Sequence, residues 1–244
     1  AELAVGAPRE ARLPLEAVTL LAPIPRPPKN VICVGLNYQE HIEEGNRARS
    51  EWRPPQEVPV FFTKPHTAIT GPGAVIPYPR VTEKLDYEVE LAVVIGNRIR
   101  DVRPEEALQH VFGYTIVNDL TARDLQRRHN QWFKGKGLDN CCPMGPWIVT
   151  ADELGDPQTL VIESRVNGEV RQQAHTSQMI FDVATIIAVL SQGFTLEPGD
   201  VIATGTPAGV GMGFDPPRFL QPGDVVECVV ERIGLLRNTI GAKA

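Results

Sequence analysis

The sequence predicts an α+β fold built round a rolled or sandwiched β-sheet, and three observations predict it. Short apolar runs rich in β-branched residues recur along the chain, turns of Gly, Pro and Asp separate them, and helical patches are few. A doubly wound sheet or a TIM barrel needs a helix after nearly every strand, so neither fits.

Residues 23–30, PIPRPPKN, hold four prolines in eight positions, which forbids a regular helix or a central strand. A small strand-bearing stretch is expected over residues 1–22, within a leader of residues 1–30, and the main domain over 31–244. Strand character then appears in VICVG (31–35), VPVFFT (58–63), LAVVIG (91–96), FGYTIVN (112–118) and WIVT (147–150). It resumes in LVIESRVNG (160–168), DVIATG (200–205) and DVVECVVERIG (224–234). Two helices are expected: RPEEALQHV, with proline first and an acidic first turn, and MIFDVATIIAVLSQG, with apolar residues at helical spacing and Gly193 as its stop.

With 244 residues and 42% apolar content the chain can bury a sizeable core. Its 24 basic and 30 acidic residues give a net charge of −6, which leaves no basic field for nucleic acid or an anionic membrane and favours a small-molecule partner. Cys33, Cys141, Cys142 and Cys228 lack the paired spacing of a zinc site and are expected as reduced thiols in a cytoplasmic protein. The start of the chain carries scattered charges, not the apolar stretch of a secretory signal, and no run approaches the roughly 20 apolar residues of a membrane helix.

Chemistry concentrates in LDYEVELAVVIG. A strand's period of two places Asp86, Glu88 and Glu90 on one face. Such a face can be solvated, but here the strand runs on into an apolar segment that reads as buried on both sides. Like charges beside a core resist desolvation, and a bound cation relieves that cost. GYTIVND delivers Asp119 at the end of another apolar strand, completing an all-oxygen set that suits magnesium, manganese or calcium.

In GLNYQEHIEEG, His41 and Glu44 stand three apart, the spacing of a general-base pair on one helical face or of an incidental surface contact. TARDLQRRHNQWFKGKG carries Arg123, Gln126 and Lys136 just beyond Asp119, able to meet a substrate carboxylate or to form a solvated basic helix. Lys64 at the end of FFTKP is similarly able to meet an oxyanion or carboxylate, although a lone strand-end lysine is usually a soluble tip. The Gly-rich IATGTPAGVGMG, with Thr204 and Thr206, can cradle an anion or make a plain turn; it lacks the Gly-Lys-Ser/Thr of a Walker loop. His175 reads as a loop histidine.

Taken in order, GLNYQEHIEE, FFTKP, DYEVELAVVIG, NDLTARDLQ, KGKGLDNCCP, VNGEVRQ, TSQMIFD and TGTPAGVG resemble the fumarylacetoacetate hydrolase family from about residue 31 onward. The resemblance implies a mixed β-sandwich roll, a homodimer, and a divalent cation, Mg2+ or Mn2+, at Glu88, Glu90 and Asp119, with Asp86 outside the set. It further implies a His41–Glu44 dyad on a mobile lid, Lys136 near the reacting carbon, and Arg123, Gln126 and Thr206 as substrate or oxyanion contacts. Fumarylacetoacetases proper carry a longer leader than the one expected here, which points to the smaller members and their 2-oxo or 2-hydroxydienoic acids. On that basis the expected activity is isomerisation or decarboxylation of 2-hydroxyhepta-2,4-diene-1,7-dioate in aromatic catabolism. Acylpyruvate C–C hydrolysis or oxaloacetate decarboxylation comes second, and a non-catalytic 2-oxo-acid-binding relative third.

Overall fold

The computed structural model describes residues 8, 12–49, 52, 54 and 56–244. The strand expected within residues 1–22 falls partly on 1–7 and 9–11, outside the described residues; residues 12–22 hold a single 3-10 turn, Leu15–Ala17. Fourteen strands follow in chain order: β1 Val31–Gly35, β2 Val60–Lys64, β3 Ile69–Thr70, β4 Val75–Tyr78, β5 Leu85–Asp86, β6 Val89–Ile95, β7 Val111–Asn118, β8 Thr121–Ala122, β9 Cys142–Thr150, β10 Val161–Val166, β11 Glu169–His175, β12 Val201–Ala203, β13 Val225–Val230 and β14 Gly234–Lys243. The helices are α1 Gln39–Arg49, α2 Pro104–Ala107, α3 Arg123–Arg128, α4 Phe133–Lys136, α5 Ala151–Leu154 and α6 Val183–Ser191. The fold is α+β and sheet-rich, as the sequence predicts.

A seven-stranded sheet runs β2-β1-β12-β6-β7-β9-β3 and a five-stranded one β11-β10-β13-β14-β4. Both are mixed: β1 with β12, β3 with β9 and β14 with β4 are parallel, the other pairs antiparallel. Strand β6 is buried along its whole length. Val89, Leu91, Val93 and Ile95 face the main core, while Ala92 joins a smaller cluster on the opposite side with Val31, Cys33, Val117 and Val201. Residues with no water on either side lose nothing by being apolar throughout, which is why LAVVIG shows no alternation.

Helix ends follow local chemistry. Pro104 occupies the first turn of α2, where a missing N–H costs nothing. The Asp182 carboxylate accepts from the Thr185 N–H at 2.7 Å and caps α6. Strands β11 and β14 escape the sequence reading because EVRQQAH and GLLRNTIGAK hold no unbroken apolar run longer than three residues. They form because β10 and β13 offer them a paired edge, a tertiary override of weak local preference.

All four cysteines are free and buried. Burial pushes the Cys141 thiol up to about 11 and Cys142 to about 12, the nearby Lys64 ammonium opposing only in part. Because the thiolate is the nucleophile, the folded protein is expected to resist Ellman's reagent at pH 8, and all four thiols to react once it is unfolded in guanidinium. Fast labelling of the native chain would contradict this packing.

Candidate active site

The site grows out of the β6–β7 pairing. Val89 stands opposite Asn118, and just beyond it the Asp119 N–H donates to the Glu88 carbonyl at 2.8 Å. That register sets Asp119 beside Glu88, and Glu90 follows two residues along the same face. Oxygens of Glu88, Glu90 and Asp119 lie within 4.8 Å of one another, and all three residues are buried.

Two lysines answer this charge. Lys136 Nζ, from the end of α4, sits 2.6 Å from Glu88 Oε2 and 2.7 Å from Asp119 Oδ2. Lys64 Nζ, at the end of β2, sits 2.6 Å from Asp119 Oδ1 and donates to the Leu120 carbonyl at 3.0 Å. Lys64 is completely buried, so the strand tip expected in solvent is an internal cation. FFTKP carries the signal of this burial, an apolar strand leading straight into a lysine.

Electrostatic states diverge within the cluster. Burial by itself would raise the Glu88 carboxyl, but Lys136, Arg123 and His41 outweigh it and hold Glu88 at about 2. Burial raises Glu90 well above the usual carboxylate range, and the charges of Asp119 and Glu88 push it further in the same direction. Burial would lower Lys64 and Lys136, yet the carboxylates keep both above the ordinary lysine value. Three convergent oxygen donors, one of them destabilised as an anion, fit a divalent cation. Glu88, Glu90 and Asp119 would hold it.

His41 and Glu44 lie on buried turns of α1, with His41 Nδ1 3.2 Å from Glu44 Oε2. The Glu44 Oε1 atom accepts the Gly209 N–H at 2.9 Å, and a Cβ at Gly213 would collide with the Glu44 carboxylate. A carboxylate at this distance from Nδ1 fixes the orientation of the ring and leaves Nε2 clear of Glu44. The glycine-rich turn therefore does cradle anions, but they are the protein's own. Gly205 N–H donates to Glu90 at 2.8 Å, Gly209 to Glu44, and Gly211 and Met212 to the two oxygens of Asp86 at 2.6 and 3.0 Å. The Thr206 hydroxyl donates to the Val89 carbonyl and accepts from Gln172 Nε2, tying the turn to β6.

Strand periodicity made Asp86 as good a ligand as Glu88, and the structure separates them. Pairing switches at Tyr87: Asp86 belongs to β5, bonded to β8, whereas β6 begins at Val89. Asp86 accepts from Arg123 Nε at 2.8 Å, while Arg123 Nη2 lies 2.7 Å from Glu88 Oε1 and Nη1 donates to Gln126 Oε1 at 3.2 Å. His41, Glu88, Glu90, Arg123, Gln126, Lys136 and Thr206 all line one cavity of about 30 Å³. Glu44 backs His41, and Asp119 lies beneath Lys136. Phe62 and Trp132, which also line it, were absent from the sequence reading because apolar residues carry no catalytic signature.

A family model for the fumarylacetoacetate (FAA) hydrolase C-terminal domain matches residues 30–241. The chain belongs to the fumarylacetoacetate hydrolase family. It is similar to oxaloacetate tautomerase YisK of Bacillus subtilis, 52% identical over 93% of this chain and 74% of that protein. It is also 45% identical to the human mitochondrial oxaloacetate tautomerase FAHD2A, over 93% of this chain and 71% of that one. Among solved structures, a fumarylacetoacetate hydrolase from psychrophilic Exiguobacterium antarcticum matches at TM-score 0.84 and 51% identity, covering 98% of this chain and 83% of the other. A 2-hydroxyhepta-2,4-diene-1,7-dioate isomerase from Mycobacterium marinum matches at TM-score 0.81 and 43% identity, over 96% and 82%. This member of the fumarylacetoacetate hydrolase family is an enzyme.

Two outcomes test the geometry. Asp86→Ala leaves Arg123 with Glu88 as its one carboxylate and unbonds the amides of Tyr87, Gly211 and Met212, and is expected to cost about 3–5 kcal/mol in urea unfolding; a loss below about 1 kcal/mol would refute the network. For the cation site, Mg2+ or Mn2+ at a hundred times its Kd should stabilise the wild type by about 2.7 kcal/mol. Glu90→Gln, which removes one of the converging charges, should be more heat-stable without metal and gain little from it.

Proposed function

We propose that the chain is an oxaloacetate tautomerase, interconverting the enol and keto forms of a short 2-oxo dicarboxylic acid with Mg2+ or Mn2+. The observation that carries this reading is the His41–Glu44 pair facing the same small cavity as the carboxylates and Lys136. Tautomerisation needs one base to move one proton between C3 and the oxygen on C2, and needs no room for a hydrolytic water.

The residues have distinct tasks in this reading. His41 Nε2, in a ring oriented by the Glu44 carboxylate on Nδ1, takes the C3 proton of the keto acid and delivers it to the oxygen on C2. Lys136 and Arg123 lie close to the negative charge that builds there and on the adjoining carboxylate. Gln126 and Thr206 orient the acid within the cavity. A divalent cation at Glu88, Glu90 and Asp119 supplies Lewis-acid stabilisation of the enolate.

The resemblance alone ranked 2-hydroxyhepta-2,4-diene-1,7-dioate isomerisation, with its place in aromatic catabolism, ahead of oxaloacetate chemistry. The two tautomerase relatives favour the reverse order, while the Mycobacterium marinum isomerase keeps the seven-carbon substrate as the second reading. No described helix is long and apolar enough to cross a membrane. A cytoplasmic setting is supported by the four free thiols, and a homodimer by the family resemblance.

Decay of enol-oxaloacetate absorbance, followed with Mg2+ or Mn2+ and after chelation, tests the proposal. His41→Ala is expected to lower kcat by about 10²–10⁴-fold with cation affinity unchanged. Wild-type-like turnover in that variant would eliminate the dyad as the base.

A further inference from the structure

The cavity has a floor and a mouth. Its charged members and Val34 are buried, whereas Gly35, Leu36, Phe62, Gln126 and Trp132 are partly exposed. Floor residues meet the reacting end of an acid; mouth residues meet whatever extends beyond it. Trp132 is the largest side chain at the mouth, and its placement is fixed from three directions.

First, its ring packs edge-on against Phe62, with centroids 5.5 Å apart and planes at 73°. Phe62 in turn lies 5.0 Å from Lys136 Nζ, so the aromatic pair abuts the cation in the carboxylate cluster. Secondly, the end of β1 comes so close that a Cβ at Gly35 would run into the indole. Glycine is what allows a ring of this size to lie flat across the strand end. Thirdly, the Trp132 carbonyl accepts the N–H groups of Gly135 and Lys136 at 2.9 and 3.0 Å, so indole and catalytic lysine ride on one turn.

Leu36, the next residue along from Gly35, has φ of +58°, a conformation that a branched side chain rarely adopts. It links the strand end beneath the indole to α1, which carries His41. The mouth is thus built of rigid, strained and closely packed parts.

We propose that Trp132 determines substrate length: by closing the mouth above Phe62 and Gly35, it restricts the enzyme to short 2-oxo dicarboxylic acids and excludes seven-carbon 2-hydroxydienedioates. This rests on the reading of the chain as an enzyme for a short 2-oxo acid. The distal carboxylate of a four-carbon acid stays within reach of the charged floor. Three further carbons carry it past the indole, where only its displacement makes room.

The experiment compares wild type, Trp132→Ala and Trp132→Phe, each with Mg2+ or Mn2+. One readout is the ratio of kcat/KM for 2-hydroxyhepta-2,4-diene-1,7-dioate to that for enol-oxaloacetate. The other is calorimetric affinity for 2-oxoheptanedioate against 2-oxoglutarate, which needs no turnover. Removing the indole should raise both ratios by about tenfold or more, with phenylalanine in between, since one methylene's worth of pocket space already discriminates by about that much. Ratios unchanged in both variants, or both ligands weakened equally, would overturn the proposal. Should the alanine variant fail to fold, as its urea midpoint will show, the phenylalanine variant with Trp132→Leu carries the same comparison. A wild type that ignores oxaloacetate would sink the proposed function, whereas Trp132 is judged on the change in ratio alone.

Discussion

Three carboxylates forced together inside a protein core set the terms for everything around them. Glu88, Glu90 and Asp119 converge because the β6–β7 register leaves them no alternative, and burial denies them water. Isolated charges in such surroundings would cost far more than the whole stability of a domain. The chain meets the demand with Lys64 and Lys136 inside the cluster and Arg123 at its side. The helices α3 and α4 exist where they do to bring these cations in: α3 begins at Arg123 and α4 ends at Lys136.

The same electrostatic demand explains the shape of the glycine-rich turn. Amides of Gly205, Gly209 and Gly211 each meet a different carboxylate, on β6, α1 and β5 respectively. One loop thereby fixes a cluster member, the partner of His41 and the orienter of Arg123. Positioning and charge neutralisation are a single device here, and a change at one carboxylate is felt at the others through that loop.

Legibility in the sequence tracked how local the cause was. The main strands could be read from β-branched runs, and α6 from its apolar spacing and Gly193, because burial on both faces or on one stripe is written into adjacent residues. Glu88 and Glu90 were readable from a period of two, but Asp86 was not distinguishable from them, since the switch of pairing at Tyr87 depends on β8, some 35 residues away. Lys64 stayed open between a soluble tip and a carboxylate contact for a related reason: a strand end is wet or dry according to what packs over it, here Asp119 and the Leu120 carbonyl. The family resemblance located the polar set but was silent on Phe62 and Trp132, whose part is spatial.

The turn that gathers the three carboxylates lies late in the chain, and its partners lie early. Glu44 and Gly209 are 165 positions apart, Glu90 and Gly205 115, Asp86 and Gly211 125. A growing polypeptide will have made both glutamates of the dyad and cluster long before the amides that hold them exist. Contacts of such span carry a large loop-closure cost and slow folding. A chain cut before Gly205 therefore carries Glu44, Asp86 and Glu90 without the amides that hold them.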